Sequence, residues 1–361
     1  MKKCLAACFA MVMLTSCGGG GNGTTGALGA PPVSTVYAAG YGYNSSYVSV
    51  PGYWKNGAWT GLPSLDVGRD SAVQALVVSG MDVYAAGYSG RRTGPWAPGY
   101  WKNSAWVELP PLDATRDSAV QSLVLSGTDV HTAGFSFNGS NVMVAAYWKN
   151  GVWVDLPRLN VNGHSKVNTL AISGSDVYAG GYTSDTMPGT VPGYWKNGAW
   201  VTLSRLYLYG EAGVNSLVVS GTDVYAGGYN TNGIGAIVPG YWKNGSWTGL
   251  PPLEAGRESR VYSLCVSGGD VYAAGYALNR SLVLAPGYWK NGIWVTLPAL
   301  DATKNSIVNS LAVSGSDVYA AGYSCDSSGM GIPGYWKNGT WVALPPLSPT
   351  TASGVRALVL Q

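Results

Sequence analysis

An all-β ring, a seven-bladed β-propeller of four-stranded antiparallel blades, is the architecture the sequence predicts, and three observations predict it. The string Tyr-Trp-Lys-Asn recurs with its tryptophan at Trp54, Trp101, Trp148, Trp195, Trp242, Trp289 and Trp336, always 47 residues apart. A second string, Val-Tyr-Ala-Ala-Gly-Tyr or a close variant, begins at Val36, Val83, Val130, Val177, Val224, Val271 and Val318, at the same spacing. From Val33 to Gln361 there are 329 residues, which is seven times 47, so no insertion or deletion breaks the register. Several short strands repeated at this period are the signature of propeller blades.

One unit shows the strands in order. Residues 73–79, VQALVVS, read as an apolar strand A, and Ser79-Gly80-Met81-Asp82 as the turn after it. DVYAAGY is strand B and PGYWK, after a longer loop, is strand C. Asn-Gly follows in six copies, a strong two-residue hairpin signal, and Asn103-Ser104 in the other. AWVELP is strand D, and Pro110 and Pro111 end its pairing. A blade must bury both faces against its neighbours. The two tryptophans of each copy, such as Trp195 and Trp200, supply rigid area for that. The repeated glycines, with Ala38 and Ala39, suit close approach near a crowded axis.

The ends predict closure. The first unit begins at strand B, while Val355–Leu360 matches strand A, so the last strand completes the first blade. That leaves no open seam. A linear solenoid would need atypical capping repeats, and none is visible.

Trp106-Val107-Glu108-Leu109-Pro110, then Arg116, the Leu123–Gly127 stretch and Val130 to Gly134, resemble the kelch family of propeller repeats across residues 33–361. The chain departs from that pattern at the double glycine, since Gly87 is followed by Tyr88. The resemblance implies a propeller. It selects no function, because kelch-like domains include oxidases and protein-binding modules.

The N-terminus carries an address. Lys2 and Lys3 precede an apolar stretch from Cys4 to Leu14, too short for a permanent span. Leu14-Thr15-Ser16-Cys17 then resembles the lipobox of bacterial lipoproteins. The resemblance implies a signal over residues 1–16, acylation (palmitate among the groups) of Cys17, and a surface or outer-membrane location, since residue 18 is Gly and not Asp. An ordinary secretory signal is the alternative. Residues 17–32 read as the lipidated cysteine with a Gly-rich tether, and 33–361 as the propeller. The membrane is then reached through the lipid alone.

Composition bounds the chemistry. Of 361 residues 46% are hydrophobic and only 11% charged, and 21 basic against 18 acidic residues leave a formal charge of +3. A nucleic-acid partner is excluded on this ground, since it needs a basic face. Two histidines, His131 and His164, do not make a copper site, so neither metal nor cofactor is expected. His131 replaces the strand-B tyrosine and reads as a structural variant. Cys265 is expected as a buried free thiol on an inner strand and Cys325 in a loop, unbridged. Asp82 and its repeats at Asp129, Asp176, Asp223, Asp270 and Asp317 read as turn residues bonding backbone amides. The lysines at Lys55 and its equivalents read as solvated.

Strand polarity separates two faces. The A–B and C–D turns are short and nearly invariant, whereas the B–C and D–A connections are longer, variable, and share the other face. Variable loops on a fixed scaffold are how binding surfaces are built. On that face Trp96 is the one tryptophan outside the repeat, beside Arg91 and Arg92, a grouping suited to a sugar ring, a peptide aromatic or an anionic group. Arg69, Arg116, Arg257 and Lys304 share one repeated position, and Asp70, Asp117, His164, Glu211, Glu258 and Asn305 the next. This alternation suits inter-blade ion pairs or a charged channel mouth. Gln74, Gln121, Asn168, Asn215, Tyr262, Asn309 and Arg356 form a polar series on strand A, fit to line a channel or hold water. The expected function is non-catalytic binding of a protein or glycan through the B–C and D–A face. The alternative is a glycan-active hydrolase or lyase at the channel mouth. A glycan binder requires several exposed aromatics at the top loops, a protein binder one contiguous apolar patch, and an enzyme converging carboxylates and arginines.

Overall fold

The structure, a computed structural model, describes residues 35–361. The signal, Cys17 and the tether read from the sequence lie outside these residues. Among the described residues no helix is long and apolar enough to cross a membrane.

Seven four-stranded sheets make the ring. Blade 1 takes its strand A from the end of the chain: Ser353–Leu360 pairs antiparallel with strand B, Val36–Tyr43, followed by Ser49–Lys55 and Ala58–Gly61. Blades 2 to 7 run in sequence order from Ser71, Ser118, Ser165, Gly213, Ser259 and Ser306. Neighbouring A strands pack around the axis, and Ser353–Leu360 lies beside Ser71–Ser79 of blade 2, which closes the circle. At the seam Thr35 and Gln361 exchange backbone hydrogen bonds of 2.8 and 3.0 Å.

Adhesion between blades is written once per repeat. Each strand-C tryptophan is essentially inaccessible and packs into a cluster shared with the preceding blade. Its indole N–H donates 2.7–2.9 Å to a carbonyl just beyond that blade's strand D, Trp101 to Pro63 and Trp54, across the seam, to Pro345. Burying the ring removes a large apolar area from water, and the carbonyl answers the one polar atom it carries. Deeper in, the hydroxyls of Ser122, Ser216, Ser263 and Ser310 each accept the amide N–H of a leucine in the next blade at 2.9–3.1 Å.

The polar series of strand A has a geometric origin. In all seven blades the A–B register slips by one at that residue, as between Val73 and Ala75, so Gln74 and its equivalents occupy a β-bulge. Freed from ladder pairing, Asn168, Asn215 and Asn309 donate 2.7–2.9 Å to strand-A carbonyls of the next blade. The repeated strand-B glycine faces this bulge. A Cβ at Gly40, Gly87, Gly134, Gly181, Gly228, Gly275 or Gly322 would sit 1.9–2.0 Å from a strand-A carbonyl oxygen. The glycine therefore answers the bulge within its own blade, and the crowded-axis explanation is corrected.

The turn face holds two further corrections. Each repeated aspartate bonds side chains rather than backbone amides. Asp129 Oδ1 accepts Asn150 Nδ2 at 2.8 Å, and its Oδ2 meets Lys149 at 2.8 Å. The same arrangement recurs in blades 2 and 4 to 7, with the asparagine in turn capping strand B through its Oδ1. The lysines are half exposed and most lie over the strand-B tyrosine, Lys102 5.2 Å from the Tyr84 ring. Cys265 is free and buried as expected; Cys325 is also buried, but it ends strand B, Asp317–Cys325, and is not in a loop. His131 is buried, bonds Tyr147 Oη at 2.7 Å, and burial pushes its pKa down.

Candidate functional site: the loop face

The D–A loops return each strand D to the next strand A, and the residue before that strand clamps the preceding blade. Asp70 Oδ1 accepts the Ser49 amide at 2.8 Å. Asp117 accepts Trp96 N–H at 2.9 Å, His164 Nδ1 accepts Met143 N–H at 3.0 Å, and Asn305 Oδ1 accepts Leu284 N–H at 3.0 Å. Aspartate, asparagine and an imidazole are interchangeable here because the position needs one acceptor and no charge. Glu258 does otherwise, accepting Arg260 Nε at 3.0 Å and Tyr276 Oη at 2.7 Å. Glu211 has an exposed side chain, and its backbone carbonyl accepts Thr231 Oγ1 at 2.6 Å. Among the described residues, the expected ion pairs between the two repeated positions are not formed: Arg69 reaches the Arg92 carbonyl at 3.1 Å, Arg116 and Arg257 are exposed, and Lys304 is half-buried.

Trp96 is 38% exposed. One face of its indole is taken by Tyr88, stacked at 4.4 Å between centroids. Arg91 is drawn outward into an ion pair with Glu108 on the outermost strand, so it does not join Trp96 in one pocket. Arg92 is exposed.

Beneath the loops lies an aromatic collar that sequence reasoning missed. Tyr41, Tyr88, Phe135, Tyr182, Tyr229, Tyr276 and Tyr323 occupy one repeated position near the end of strand B. Cations lie over three of the rings: Arg356 over Tyr41 at 5.4 Å, Lys166 over Phe135 at 5.0 Å, and Arg260 over Tyr229 at 4.8 Å. Burial holds the Tyr182 phenol up at about 12, with Tyr229 and Glu211 adding to it, and pushes the Lys166 amine well below its ordinary value. The ring contact favours the ammonium form of Lys166, but removal from water outweighs it. The signal for the collar was the Gly-Tyr, Gly134-Phe135 in blade 3, repeated near the end of strand B.

The second feature missed is an apolar patch. The loop between blades 4 and 5 reads Leu206-Tyr207-Leu208-Tyr209: the leucine is common to all seven copies and Leu208 stands where the others carry Val, Ala or Pro, but Tyr207 and Tyr209 replace polar residues or glycine. These four side chains are 49, 39, 54 and 56% exposed. Met187 and Ile234, on the B–C loops of blades 4 and 5, are exposed on either side. The display is braced. Leu206 N–H reaches Asn230 Oδ1 at 3.2 Å, Ala212 N–H reaches Thr190 Oγ1 at 2.9 Å, and Gly210 packs against Thr231 too closely for a Cβ. Tyr207 and Tyr209 meet edge to face at 5.6 Å, and Arg205 pairs with Asp185 at 2.9 Å. A rigid group of exposed aromatic and aliphatic side chains is what a partner surface exploits, since little side-chain freedom remains to be lost on contact.

Among the described residues no three His, Cys, Asp or Glu side chains gather as metal ligands would. No family profile matches the chain, and no curated protein does. Several solved structures are similar. The β-propeller domain of the Trilobed protease from Pyrococcus furiosus is 8% identical, with TM-score 0.49, over 87% of this chain and 96% of that one. A putative 6-phosphogluconolactonase from Bacteroides uniformis is 13% identical, with TM-score 0.46, over 91% and 99%. The fucose-recognising, six-bladed lectin of Aleuria aurantia is 12% identical, with TM-score 0.42, over 76% and 95%. Likeness this remote carries no activity and no ligand from one chain to the other.

Proposed function

We propose that the protein is a non-catalytic binding module that engages a protein partner on its loop face, centred on Leu206–Tyr209 with Met187 and Ile234 beside it. The observation that carries this reading is the placement, in a single repeat, of Tyr207 and Tyr209 where the other copies carry polar residues or glycine, which with Leu206 and Leu208 makes four consecutive exposed apolar residues on a braced backbone. Interfaces are enriched in tyrosine, and a few such side chains supply most of the binding energy, about 1–4 kcal/mol each on truncation. No cofactor or metal is required by this reading. With Cys17 acylated the ring would be held at the surface of an outer membrane. The glycan reading keeps one observation in its favour, the Trp96–Tyr88 stack beside Arg69 and Arg92.

The test is a pull-down from cell-envelope extract with the purified protein, run beside a glycan array. The triple variant Y207S/L208S/Y209S should lose the retained partner while its circular dichroism stays unchanged. Retention of the same partner by the triple variant would refute the proposal. Array binding that depends on Trp96 would favour the glycan reading.

A further inference from the structure

Blade 3 breaks the repeat at a place remote in sequence from the patch just described. Six blades carry Pro-Gly before Tyr-Trp in strand C; blade 3 carries Ala145-Ala146. In the six, the glycine is crowded by the strand-D tryptophan, whose ring atoms would lie 2.3–2.5 Å from a Cβ. In blade 3 Ala146 supplies that Cβ, and the ring has moved. Trp153 stands 5.3 Å from Trp148 at 86°, whereas the other six pairs stand at 4.4–4.5 Å and 55–61°.

Strand D is split from strand C as well. It spans only Val152–Val154, and the ladder ends at Tyr147 with Val154. In the six other blades the leucine after strand D donates its N–H to the strand-C proline carbonyl at 2.8–3.0 Å; Leu156 makes no such bond to Ala145. A cavity of about 520 Å³ opens along this split, lined by Trp153, Val144, Leu156, Leu112 and Val161, with Asp155 and Arg158 at its polar side. The size is that of a small-molecule site.

The polar side is incomplete. Arg158 shares its repeat position with Arg205, which has a carboxylate partner, Asp185, at 2.9 Å. The residue in blade 3 corresponding to Asp185 is Asn138, whose Oδ1 already accepts the Ser140 and Val142 amides at 3.0 and 2.9 Å. Nη1 is buried without a hydrogen-bond partner in both arginines; what sets Arg158 apart is that no carboxylate lies within ion-pairing reach of it among the described residues, whereas Asp185 meets Arg205 at Nη2. Asp155 is engaged, since its Oδ1 accepts Trp153 Nε1 at 2.7 Å. A buried guanidinium N–H left unmatched favours an anionic acceptor.

We infer that the cleft between strands C and D of blade 3 binds a small aromatic carboxylate, with the ring against Trp153 and the apolar lining and the carboxylate on Arg158. The ligand's anionic oxygen occupies at Arg158 the place that Asp185 holds at Arg205. The test is calorimetric titration of the protein with 2-naphthoate and with its neutral counterpart 2-naphthamide. Saturable binding of one equivalent of naphthoate is expected, with the amide at least about tenfold weaker. R158Q should abolish that preference. A146G restores the residue of the other six blades, lets Trp153 fall back on Trp148, and should abolish binding of both probes while the far-ultraviolet spectrum is kept. Absence of saturable naphthoate binding overturns the inference. So does an R158Q protein that retains the preference, or an A146G protein that binds as the parent does.

Discussion

Replacing Gly322 by Ala isolates the energetic role of the bulge. The added Cβ would stand 1.9 Å from the Ile307 carbonyl oxygen. Real Cβ contacts stay beyond about 3.0 Å, so strand B must withdraw from strand A by about 1 Å. That displacement strains the Val308–Gly322 and Ile307–Tyr323 pairings and disturbs the neighbouring clusters. Two weakened ladder bonds at about 1 kcal/mol each, with about 1–3 kcal/mol of overpacking, give a cost of about 3–5 kcal/mol. The control is Gly339→Ala in the C–D turn, where φ is +83° and no atom lies within 4 Å of the new Cβ. There the penalty is purely conformational, about 1 kcal/mol. Equilibrium urea unfolding of both variants measures the two costs. Equal midpoints would refute the assignment of the repeated glycine to the bulge.

Two further outcomes are expected. His131 is buried with its pKa lowered by desolvation, and Lys149 acts in the same direction. The unfolded chain therefore takes up a proton below about pH 6.5 while the folded one resists it, so stability falls as pH drops through that window toward the folded value. His131→Tyr, which restores the residue of the other blades, should flatten that part of a stability–pH curve; an unchanged slope would refute the assignment. Deleting residues 353–361 removes strand A of blade 1, bares the Val36–Tyr43 edge and deprives Asn309 of the Val355 carbonyl. Size-exclusion chromatography should show self-association of the truncated chain, and a monomer with an unaltered unfolding midpoint would contradict closure by that strand.

The architecture was legible because 47 residues fix four strands, two tight turns and a closing strand with no free parameter. The seam followed from Val355–Leu360 alone. The bulge was not legible. A polar residue in an apolar strand and a glycine in the strand beside it are each common for unrelated reasons, and only the one-residue slip joins Gln74 to Gly87. For the loop face, the sequence named Trp96 and the charged series but not their partners. Arg91 goes to Glu108, and Asp70 to a backbone amide, because these contacts join residues about 20 positions apart through blade geometry. Tyr207 and Tyr209 are visible as departures from the repeat, but the four apolar residues in a row that they complete read equally well as a buried segment until their exposure is known. The change of Gly to Ala at 146 looks conservative in a sequence; its effect exists only because a tryptophan ring occupies the missing side chain's place in the other blades.

The position of Thr35 beside Gln361 has an orientational result. This junction belongs to the rim of A–B and C–D turns, as does the bond from Asn56 N–H to the Val36 carbonyl. Residue 35 thus lies on the underside of the disc. If it is moored there, the ring lies like a dish on a stalk, with Trp96, the collar and the Leu206–Tyr209 loop turned to the medium and the uniform turns facing the mooring.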